Sequence, residues 1–254
     1  MRRAEAIALG LLQGPAELLP VSSSAHVGLL PWALGWQHAA LPGEARKEVE
    51  VALHAGTALA LALVERRRPR WRLLAAATAP PAVAGLLLER PIEARLGTPP
   101  TIAAGLLLGS VAMVLADRTP ARRSAQDASA ADGAWLGAAQ ALALIPGVSR
   151  SGATRAAARA RGFGRDEAAA LSREVALPVL AGAASLKGVR LARRRPARDT
   201  LGALAAGAAA AAASTWAALR AERALAADAP LAVWAAYRTV LAAAILAVWQ
   251  DRGR

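Results

Sequence analysis

Apolar residues are grouped along the chain into nine segments that short polar stretches separate. The segments lie near residues 4–12, 27–36, 49–64, 72–88, 101–116, 133–145, 168–187, 200–219 and 231–249. A helix that crosses a bilayer needs about 20 apolar residues, with about 17 as the lower limit. Three segments, 4–12, 27–36 and 133–145, are too short to cross. Short apolar pieces around polar loops are typical of re-entrant, broken helices, so the pattern predicts an all-α, polytopic membrane protein with two re-entrant helical hairpins.

The two halves of the chain carry a weak internal repeat. Gln13 matches Gln140, and the Val-Ser-Ser-Ser of residues 21–24 matches the Val-Ser-Arg-Ser of residues 148–151, 127 positions later. We therefore predict one integral membrane domain, residues 1–254, made of repeats at about 1–127 and 128–254. If each half has one hairpin and three crossings, the number of crossings is odd and the halves have opposite orientations. Such inverted repeats bring both polar loops to the middle of the bilayer.

Composition and charge agree with a membrane protein. The 254 residues are 56% hydrophobic and have a mean hydropathy of +0.33, which excludes a disordered chain. With no cysteine, disulfides, thiolate catalysis and cysteine-bound metals are excluded. The net charge of +13 comes largely from runs of arginine between blocks without charge. This distribution favours a membrane protein over a nucleic-acid binder, which gathers its cations on one folded face.

The basic runs give only a partial orientation. The positive-inside rule places residues 65–72 and 118–123 in the cytoplasm, two crossings apart, which is consistent. It also favours the cytoplasm for residues 190–198, whereas the inverted arrangement places this run outside. The orientation of the second half therefore remains open at this point.

Polar side chains within the two serine-containing loops are the candidates for chemistry, because polar groups at membrane depth are costly. The candidate catalytic residues are Glu17, Ser23, His26 and Arg150, and the candidate substrate-binding residues are Gln13, Ser22, Ser149, Ser151 and Thr154. A helix that begins near Ser149 would direct its backbone N–H groups at an anion. Arg150 adds a planar, permanently charged group that matches phosphate oxygens. One carboxylate, one imidazole, several hydroxyls and one arginine suit phosphoryl chemistry.

Structural interpretations of these residues compete with the functional ones. Ser24 and Ser151 are expected to bond to their own backbone, and His54, without a charged neighbour in the sequence, is interpreted as structural. Glu174 is expected to pair with the adjacent Arg173. The arginines of residues 155–165 either form a solvated face or contact lipid phosphates.

Three motifs resemble those of a known family. The segment from Leu12 to His26, and the segment from Pro146 to Thr154, resemble the two signatures of the undecaprenyl-diphosphate phosphatases of the bacitracin-resistance type. Residues 53–57, Leu-His-Ala-Gly-Thr, resemble a third element of that family. The resemblance implies a multi-pass enzyme of the bacterial inner membrane. It would hydrolyse undecaprenyl diphosphate to undecaprenyl phosphate and phosphate, recycle the lipid carrier for peptidoglycan synthesis, and confer tolerance to bacitracin.

The resemblance also implies roles for individual residues. The acidic pair of the family falls on Gln13 and Glu17, the serine on Ser23, the histidine on His26 and the phosphate-binding arginine on Arg150. Because Gln13 cannot act as a base, a mechanism with two carboxylates is weakened. A divalent cation, Mg²⁺ or Ca²⁺, is expected to be held mainly by the diphosphate of the substrate. The resemblance leaves a homodimer open, and no nucleic-acid partner is expected.

Two mechanisms and two other functions remain open. Either Ser23 attacks the terminal phosphorus while His26 or Glu17 takes its proton, or Glu17 and His26 activate a water molecule. The same architecture would also suit a lipid-phosphate flippase or transporter. A membrane-embedded binding or immunity protein would need no acid–base pair.

Overall fold

The regular elements of the described chain are helices. The computed structural model describes residues 1–65, 68–194, 197–226 and 228–252. Within them the α-helices are α1 Arg3–Leu18, α2 Ser23–Ala33, α3 Gly43–Val64, α4 Trp71–Leu96, α5 Pro99–Asp117, α6 Ala130–Leu142, α7 Arg150–Ala160, α8 Arg165–Arg194, α9 Arg198–Ala221 and α10 Leu231–Arg252. Two short 3₁₀ helices, Gln37–Ala40 and Ala125–Asp127, and a π-helical turn, Glu222–Ala226, complete the regular structure. Four residues of the basic runs at 65–72 and 190–198 lie outside the described residues: Arg66, Arg67, Arg195 and Pro196.

Five described helices are long and apolar enough to cross a membrane. Their spans are Trp71–Ile92, Pro99–Asp117, Arg165–Arg194, Arg198–Ala224 and Leu231–Arg252. The prediction of an all-α, multi-pass membrane protein is confirmed. The predicted crossing at residues 49–64 falls in α3, whose 22 residues begin with a charged turn that lowers the hydropathy of the helix.

The order of helix lengths is similar in the two halves. Each half has a short pair of helices, α1 with α2 and α6 with α7, followed by three longer helices. Helices α2 and α7 are both 11 residues long and begin directly after Ser22 and Ser149. These two serines have φ angles of 75° and 72°, and they are the non-glycine residues of the described chain with positive φ. An L-residue in this region costs roughly 1–2 kcal/mol, so the shared conformation marks two equivalent, strained turns.

Each short pair forms a hairpin whose outer ends are held together. The carboxylate of Glu5, in the first turn of α1, accepts hydrogen bonds from the backbone N–H groups of Gln37 (3.2 Å) and His38 (3.1 Å), just beyond α2. In the second pair, Asp132 at the start of α6 accepts a hydrogen bond of 2.8 Å from Arg161, which follows α7. The chain therefore turns back at the tip of each hairpin, near residues 19–22 in the first and residues 143–149 in the second.

Helix α8 connects the two ends of the bundle. Its 30 residues give a length of about 45 Å. Arg165, the first residue of α8, contacts Asp117 at 3.0 Å, and Arg194, the last, contacts Glu44 at 2.8 Å. The outer end of the α6–α7 hairpin lies with Asp117, which Arg159 of α7 also contacts at 3.0 Å. The outer end of the α1–α2 hairpin lies near the start of α3, so the two hairpins extend from opposite ends.

Glycines allow the hairpin helices to pack closely against long helices of the other half. A Cβ atom on Gly10 of α1 would lie 2.3 Å from the carbonyl oxygen of Gly207 in α9, and one on Gly137 of α6 would lie 2.9 Å from the carbonyl oxygen of Ala76 in α4. Gly10 and Gly137 lie 127 positions apart, the offset of the predicted repeat. Such contacts stabilise helix pairs in lipid, where the hydrophobic effect does not drive association between helices.

Candidate functional site

The candidate site lies where the tips of the two hairpins meet. Ser151 of α7 donates a hydrogen bond of 2.8 Å from its Oγ to the carbonyl oxygen of Leu19, and Arg155 donates one of 2.8 Å to that of Leu18. Ser151 was expected to bond to its own backbone. That expectation is wrong, because its hydroxyl joins the two hairpins.

Glu17, in the last turn of α1, is the carboxylate at the centre of this contact. It is 4% exposed. Its Oε2 accepts hydrogen bonds from Ser23 Oγ at 2.6 Å and from Gln13 Nε2 at 3.2 Å. Gln13 lies one helical turn before Glu17 and thus on the same face of α1. Three of the five residues predicted in the first hairpin are therefore in direct contact, and Ser23 has a base within hydrogen-bonding distance.

Arg150 brings the second hairpin to the same carboxylate. Its Nε lies 3.1 Å from Glu17 Oε1, and its Nη2 donates to the backbone carbonyl oxygen of Glu17 at 3.2 Å. Its Nη1 donates to the carbonyl oxygen of Ser172 in α8 at 3.0 Å. These three bonds fix the plane of the guanidinium group beside Glu17.

The positions of Glu17 and Arg150 oppose the dipoles of their own helices. Negative charge is unfavourable near a helix C-terminus and positive charge near a helix N-terminus. Glu17 is nevertheless in the last turn of α1, and Arg150 is the first residue of α7. Local rules of stability are most often broken at functional sites, so this arrangement argues for chemistry as well as for the ion pair.

His54 is a residue of the candidate site that the sequence did not place there. Its Nε2 lies 3.5 Å from Glu17 Oε2, and its Nδ1 lies 2.7 Å from the carbonyl oxygen of Glu50. The structural interpretation rested on the lack of a charged neighbour in the sequence, and the contact between α3 and α1 supplies a charged partner from another helix. The motif of residues 53–57 was the signal that could have identified this histidine.

His26 lies in the site region but its hydrogen bonds do not go to Glu17 or Ser23. Its Nδ1 lies 2.8 Å from the carbonyl oxygen of Ser22, and its Nε2 lies 2.7 Å from the hydroxyl oxygen of Tyr237 in α10. Between the two bases considered for Ser23, the geometry thus favours Glu17.

The remaining predicted residues are mostly buried and bonded within the protein. The hydroxyls of Ser22 and Ser24 are 3.1 Å apart, and those of Ser149 and Ser151 are 3.3 Å apart, in equivalent positions of the repeat. Ser149 Oγ also accepts the N–H of Gly152 at 3.2 Å and so caps α7. Thr154 is fully buried. Its Oγ1 donates a hydrogen bond of 2.9 Å to the carbonyl oxygen of Arg150 and lies 2.7 Å from the hydroxyl oxygen of Ser172 in α8. Roles of these residues in substrate binding remain predictions.

Arg238 of α10 links the backbones of both tips and was missed in the sequence. It is fully buried, and its guanidinium group donates to the carbonyl oxygens of Pro20 (3.3 Å) and Gly147 (3.0 Å). It also donates to the carbonyl oxygen of Leu106 in α5 at 3.0 Å. The available signal was a cation within an otherwise apolar helix, because such residues are rare and functional in membranes.

Several arginines near the site pair with carboxylates that the sequence did not indicate as their partners. Arg155 and Arg173 both contact the buried Glu222, and Arg173 also contacts Glu65 at 2.9 Å. Glu174 pairs with Arg70 instead of Arg173.

The arginines of residues 155–165 also differ from the two interpretations offered for them. Arg155 is 2% exposed and Arg159 is 4% exposed. Arg159 and Arg165 contact Asp117, and Arg161 contacts Asp132. For Arg155 and Arg159, the solvated face and the lipid contact are both wrong.

The residues do not form a cage for a divalent cation. Within the described part of the chain, no group of three or more histidine, aspartate or glutamate residues is arranged to hold a metal ion. The carboxylate of Glu17 already faces Arg150 and His54. A Mg²⁺ or Ca²⁺ ion prefers several oxygen ligands, so these side chains do not fit a cation bound by the protein alone.

Comparisons with known proteins identify the family of the chain. The family model for bacitracin resistance protein BacA matches residues 6–244. Similar proteins include the undecaprenyl-diphosphatase of Geobacter sulfurreducens, 41% identical over 232 residues, with 82% of this chain and 84% of that protein covered. The chain is also similar to the undecaprenyl-diphosphatase of Geobacter metallireducens, 40% identical, with 76% of this chain and 78% of that protein covered. The undecaprenyl-diphosphatase of Pelotomaculum thermopropionicum is 39% identical, with 72% of this chain and 74% of that protein covered. The chain therefore belongs to the BacA family of bacitracin resistance proteins.

Proposed function

We propose that the protein hydrolyses undecaprenyl diphosphate to undecaprenyl phosphate and inorganic phosphate. The relatives named above carry the name of this activity, and the family is associated with bacitracin resistance. The observation that carries the proposal is the position of Glu17 between Ser23 at 2.6 Å and Arg150 at 3.1 Å. A hydroxyl, a base and a permanent cation are thus assembled at one point, as phosphoryl transfer requires.

In the proposed reaction Arg150 binds oxygens of the terminal phosphate and Ser23 is the nucleophile. The Oγ of Ser23 bonds to the terminal phosphorus, the bond from phosphorus to the bridging oxygen breaks, and undecaprenyl phosphate leaves. Glu17 takes the proton of Ser23. Glu17 passes this proton to the departing undecaprenyl phosphate and is again a carboxylate. Water then attacks the phosphoserine with Glu17 as base, and the proton taken from water goes to Ser23 Oγ as phosphate leaves. The short contact between Ser23 and Glu17 supports this route over direct attack by water.

The site is proposed to lie inside the bilayer of the bacterial inner membrane, between inverted repeats. The outer ends of the hairpins, held by Glu5 and by Asp132, lie at opposite ends of the bundle. This supports two re-entrant hairpins that enter from opposite faces of the membrane. It also supports an extracytoplasmic position for Arg194, because α8 separates Arg194 from Asp117, and the basic run that follows Asp117 is expected in the cytoplasm. A homodimer stays a prediction.

A divalent cation is proposed to arrive with the substrate. Diphosphate oxygens are hard ligands that Mg²⁺ and Ca²⁺ prefer. The cation would neutralise the part of the diphosphate's negative charge that Arg150 alone leaves uncompensated. The cation belongs in this proposal to the substrate complex. The derived steps depend only on Ser23, Glu17 and Arg150.

The flippase alternative is not favoured, because the matched relatives are named as diphosphatases. In the cell, hydrolysis would return the lipid carrier to cell-wall synthesis and remove the lipid diphosphate that bacitracin sequesters.

The experiment is phosphate release from undecaprenyl diphosphate by the purified protein in detergent. Arg150→Ala and Glu17→Gln are expected to reduce the rate by at least about a hundredfold. The matched controls are Arg194→Ala and Glu44→Gln, which remove an exposed ion pair at the end of α8 and should leave the rate unchanged. Turnover at the normal rate by both site variants would contradict the proposal.

A single-turnover quench separates the two nucleophiles. The serine route predicts a phosphoserine at position 23 in the wild type and none in Ser23→Ala. Failure to trap it while phosphate is released in the same time would favour attack by water.

A further inference from the structure

Tyr237 is the only tyrosine in the chain, and it reaches the candidate site from α10. Its hydroxyl oxygen lies 2.7 Å from Nε2 of His26. The two rings are almost parallel, with an angle of 5° between their planes. This contact joins residues 211 positions apart, so it depends on how α10 packs beside the first hairpin.

The hydrogen-bond partners of His26 determine the direction of this contact. The carbonyl oxygen of Ser22, 2.8 Å from Nδ1, can only accept. Nδ1 therefore carries a hydrogen, and Nε2 of the neutral ring is an acceptor. The Tyr237 hydroxyl is the donor that completes this arrangement. The imidazole is then held at both nitrogens, which fixes the orientation of the ring.

The neighbouring residue anchors this part of α10. Arg238 bonds to the carbonyl oxygens of Pro20 and Gly147, one in each hairpin tip. Because Arg238 cannot shift along the helix axis without breaking these bonds, the position of Tyr237 relative to His26 is also fixed. Helix α10 thereby contributes to the site through two consecutive side chains.

We propose that Tyr237 is a positioning residue of the site, whose hydroxyl donates to Nε2 of His26 and holds the imidazole directed away from Glu17. The proposal rests on the proposed function for its kinetic consequence. Glu17 stays free of His26 and bonded to Ser23, while His26 is kept as a neutral, oriented group at the edge of the site. The tyrosine is 47% exposed, so its contact with His26 lies at the surface of the protein.

The test compares Tyr237→Phe with Thr239→Val. The first variant removes only the hydroxyl and keeps the ring. The second removes a hydroxyl from the same helix that bonds only to its own backbone, at 2.9 Å from the carbonyl oxygen of Ala235. Nitrogen-15 NMR of histidine-labelled full-length protein in lipid nanodiscs reports the state of Nε2 without substrate, with His26→Gln used to assign the signal.

In Tyr237→Phe, the Nε2 signal of His26 is expected to move to the position of an imidazole nitrogen that accepts no hydrogen bond. With undecaprenyl diphosphate, kcat is expected to fall about tenfold, the effect of one lost hydrogen bond, while KM stays within about twofold. Thr239→Val should match the wild type in both measurements. A His26 signal in Tyr237→Phe that equals that of the wild type would overturn the proposal, as would an unchanged kcat in an active enzyme.

The two readouts keep this proposal separate from the proposed function. If the wild type released no phosphate, the proposed function would fail. The NMR comparison would still decide whether Tyr237 holds His26.

Discussion

Ser22 and Ser149, 127 residues apart, adopt the same left-handed backbone conformation, with φ angles of 75° and 72°. Each is the last residue before an 11-residue helix that carries site residues. Ser22 precedes Ser23 directly, and Ser149 precedes Arg150. The repeated strain therefore places the nucleophile candidate and the cation at equivalent positions of two hairpins. Strain of this kind concentrates at functional sites.

The left-handed conformation predicts opposite effects of valine and glycine at position 22. Ser22→Val should destabilise the protein by roughly 1–2 kcal/mol relative to Ser22→Gly, because a β-branched residue disfavours positive φ while glycine accepts it. The free energy of unfolding, measured by circular dichroism during titration with a denaturing detergent, checks this difference. Ser24→Val, at a helical position, is the control, and an equal valine penalty there would contradict the explanation.

The glycine contacts between α1 and α9 predict a position-specific cost of one methyl group. Gly10→Ala should destabilise the protein by about 1–3 kcal/mol through overpacking, because the new Cβ would lie 2.3 Å from the carbonyl oxygen of Gly207. Gly202→Ala on α9 meets no atom within 4 Å and should be neutral or slightly stabilising. The same unfolding assay measures both variants. Equal effects would show that the close packing of α1 does not matter.

The buried guanidinium of Arg238 predicts a large effect on both stability and activity. Arg238→Met would leave carbonyl groups of both tips without a donor, at a cost of about 1–3 kcal/mol for each buried group that stays unsatisfied. Phosphate release should fall as well, because the tips lose their common anchor. Arg220→Met removes an exposed arginine that covers Trp216 at 4.0 Å and serves as the control. A folded, fully active Arg238→Met protein would refute the anchoring role.

The ion pairs of Asp132 predict a dependence of stability on pH. Arg123, with hydrogen bonds of 2.8 and 2.9 Å, holds the pKa of the Asp132 carboxyl well below its usual range, with help from Ser129 and Arg161. An aspartate whose pKa is depressed by folding contributes stability above its unfolded pKa of about 3.9 and loses that contribution as the pH falls toward the folded pKa.

The wild type should therefore exceed Asp132→Asn in unfolding free energy at pH 7, and the difference should shrink below about pH 4. Unfolding titrations of both proteins from pH 7 to pH 3 measure it. A difference that is constant over this range would contradict the assignment.

Local sequence patterns predicted much of the fold and several residues that the structure brings together in the candidate site. The apolar segments predicted a helical membrane protein, and the repeated serine motif predicted the matching positions of Ser22 and Ser149. The proposed proton transfer from Ser23 to His26 or Glu17 required a base close to Ser23, and the structure shows the contact with Glu17. The proximity of Glu17 to Arg150 followed from the assumption that equivalent loops converge.

Contacts made by distant helices were not predictable in the same way. His54, Tyr237 and Arg238 reach the site through the packing of α3 and α10, and no local spacing relates them to Glu17. The pairing of Glu174 with Arg70 likewise depends on the approach of α4 to α8, which the adjacency of Arg173 and Glu174 in the sequence concealed. Where two helices meet decides which charges pair, and periodicity along one helix does not contain that information.

The central claim is that residues from two hairpins act as one site. A double-mutant cycle on kcat/KM for phosphate release from undecaprenyl diphosphate, with Glu17→Gln, Arg150→Gln and the double variant, tests it most directly. Because the two side chains are bonded at 3.1 Å, the account predicts that the double variant is about as slow as the slower single variant. Losses that simply multiply, or a single variant with wild-type kcat/KM, would contradict it.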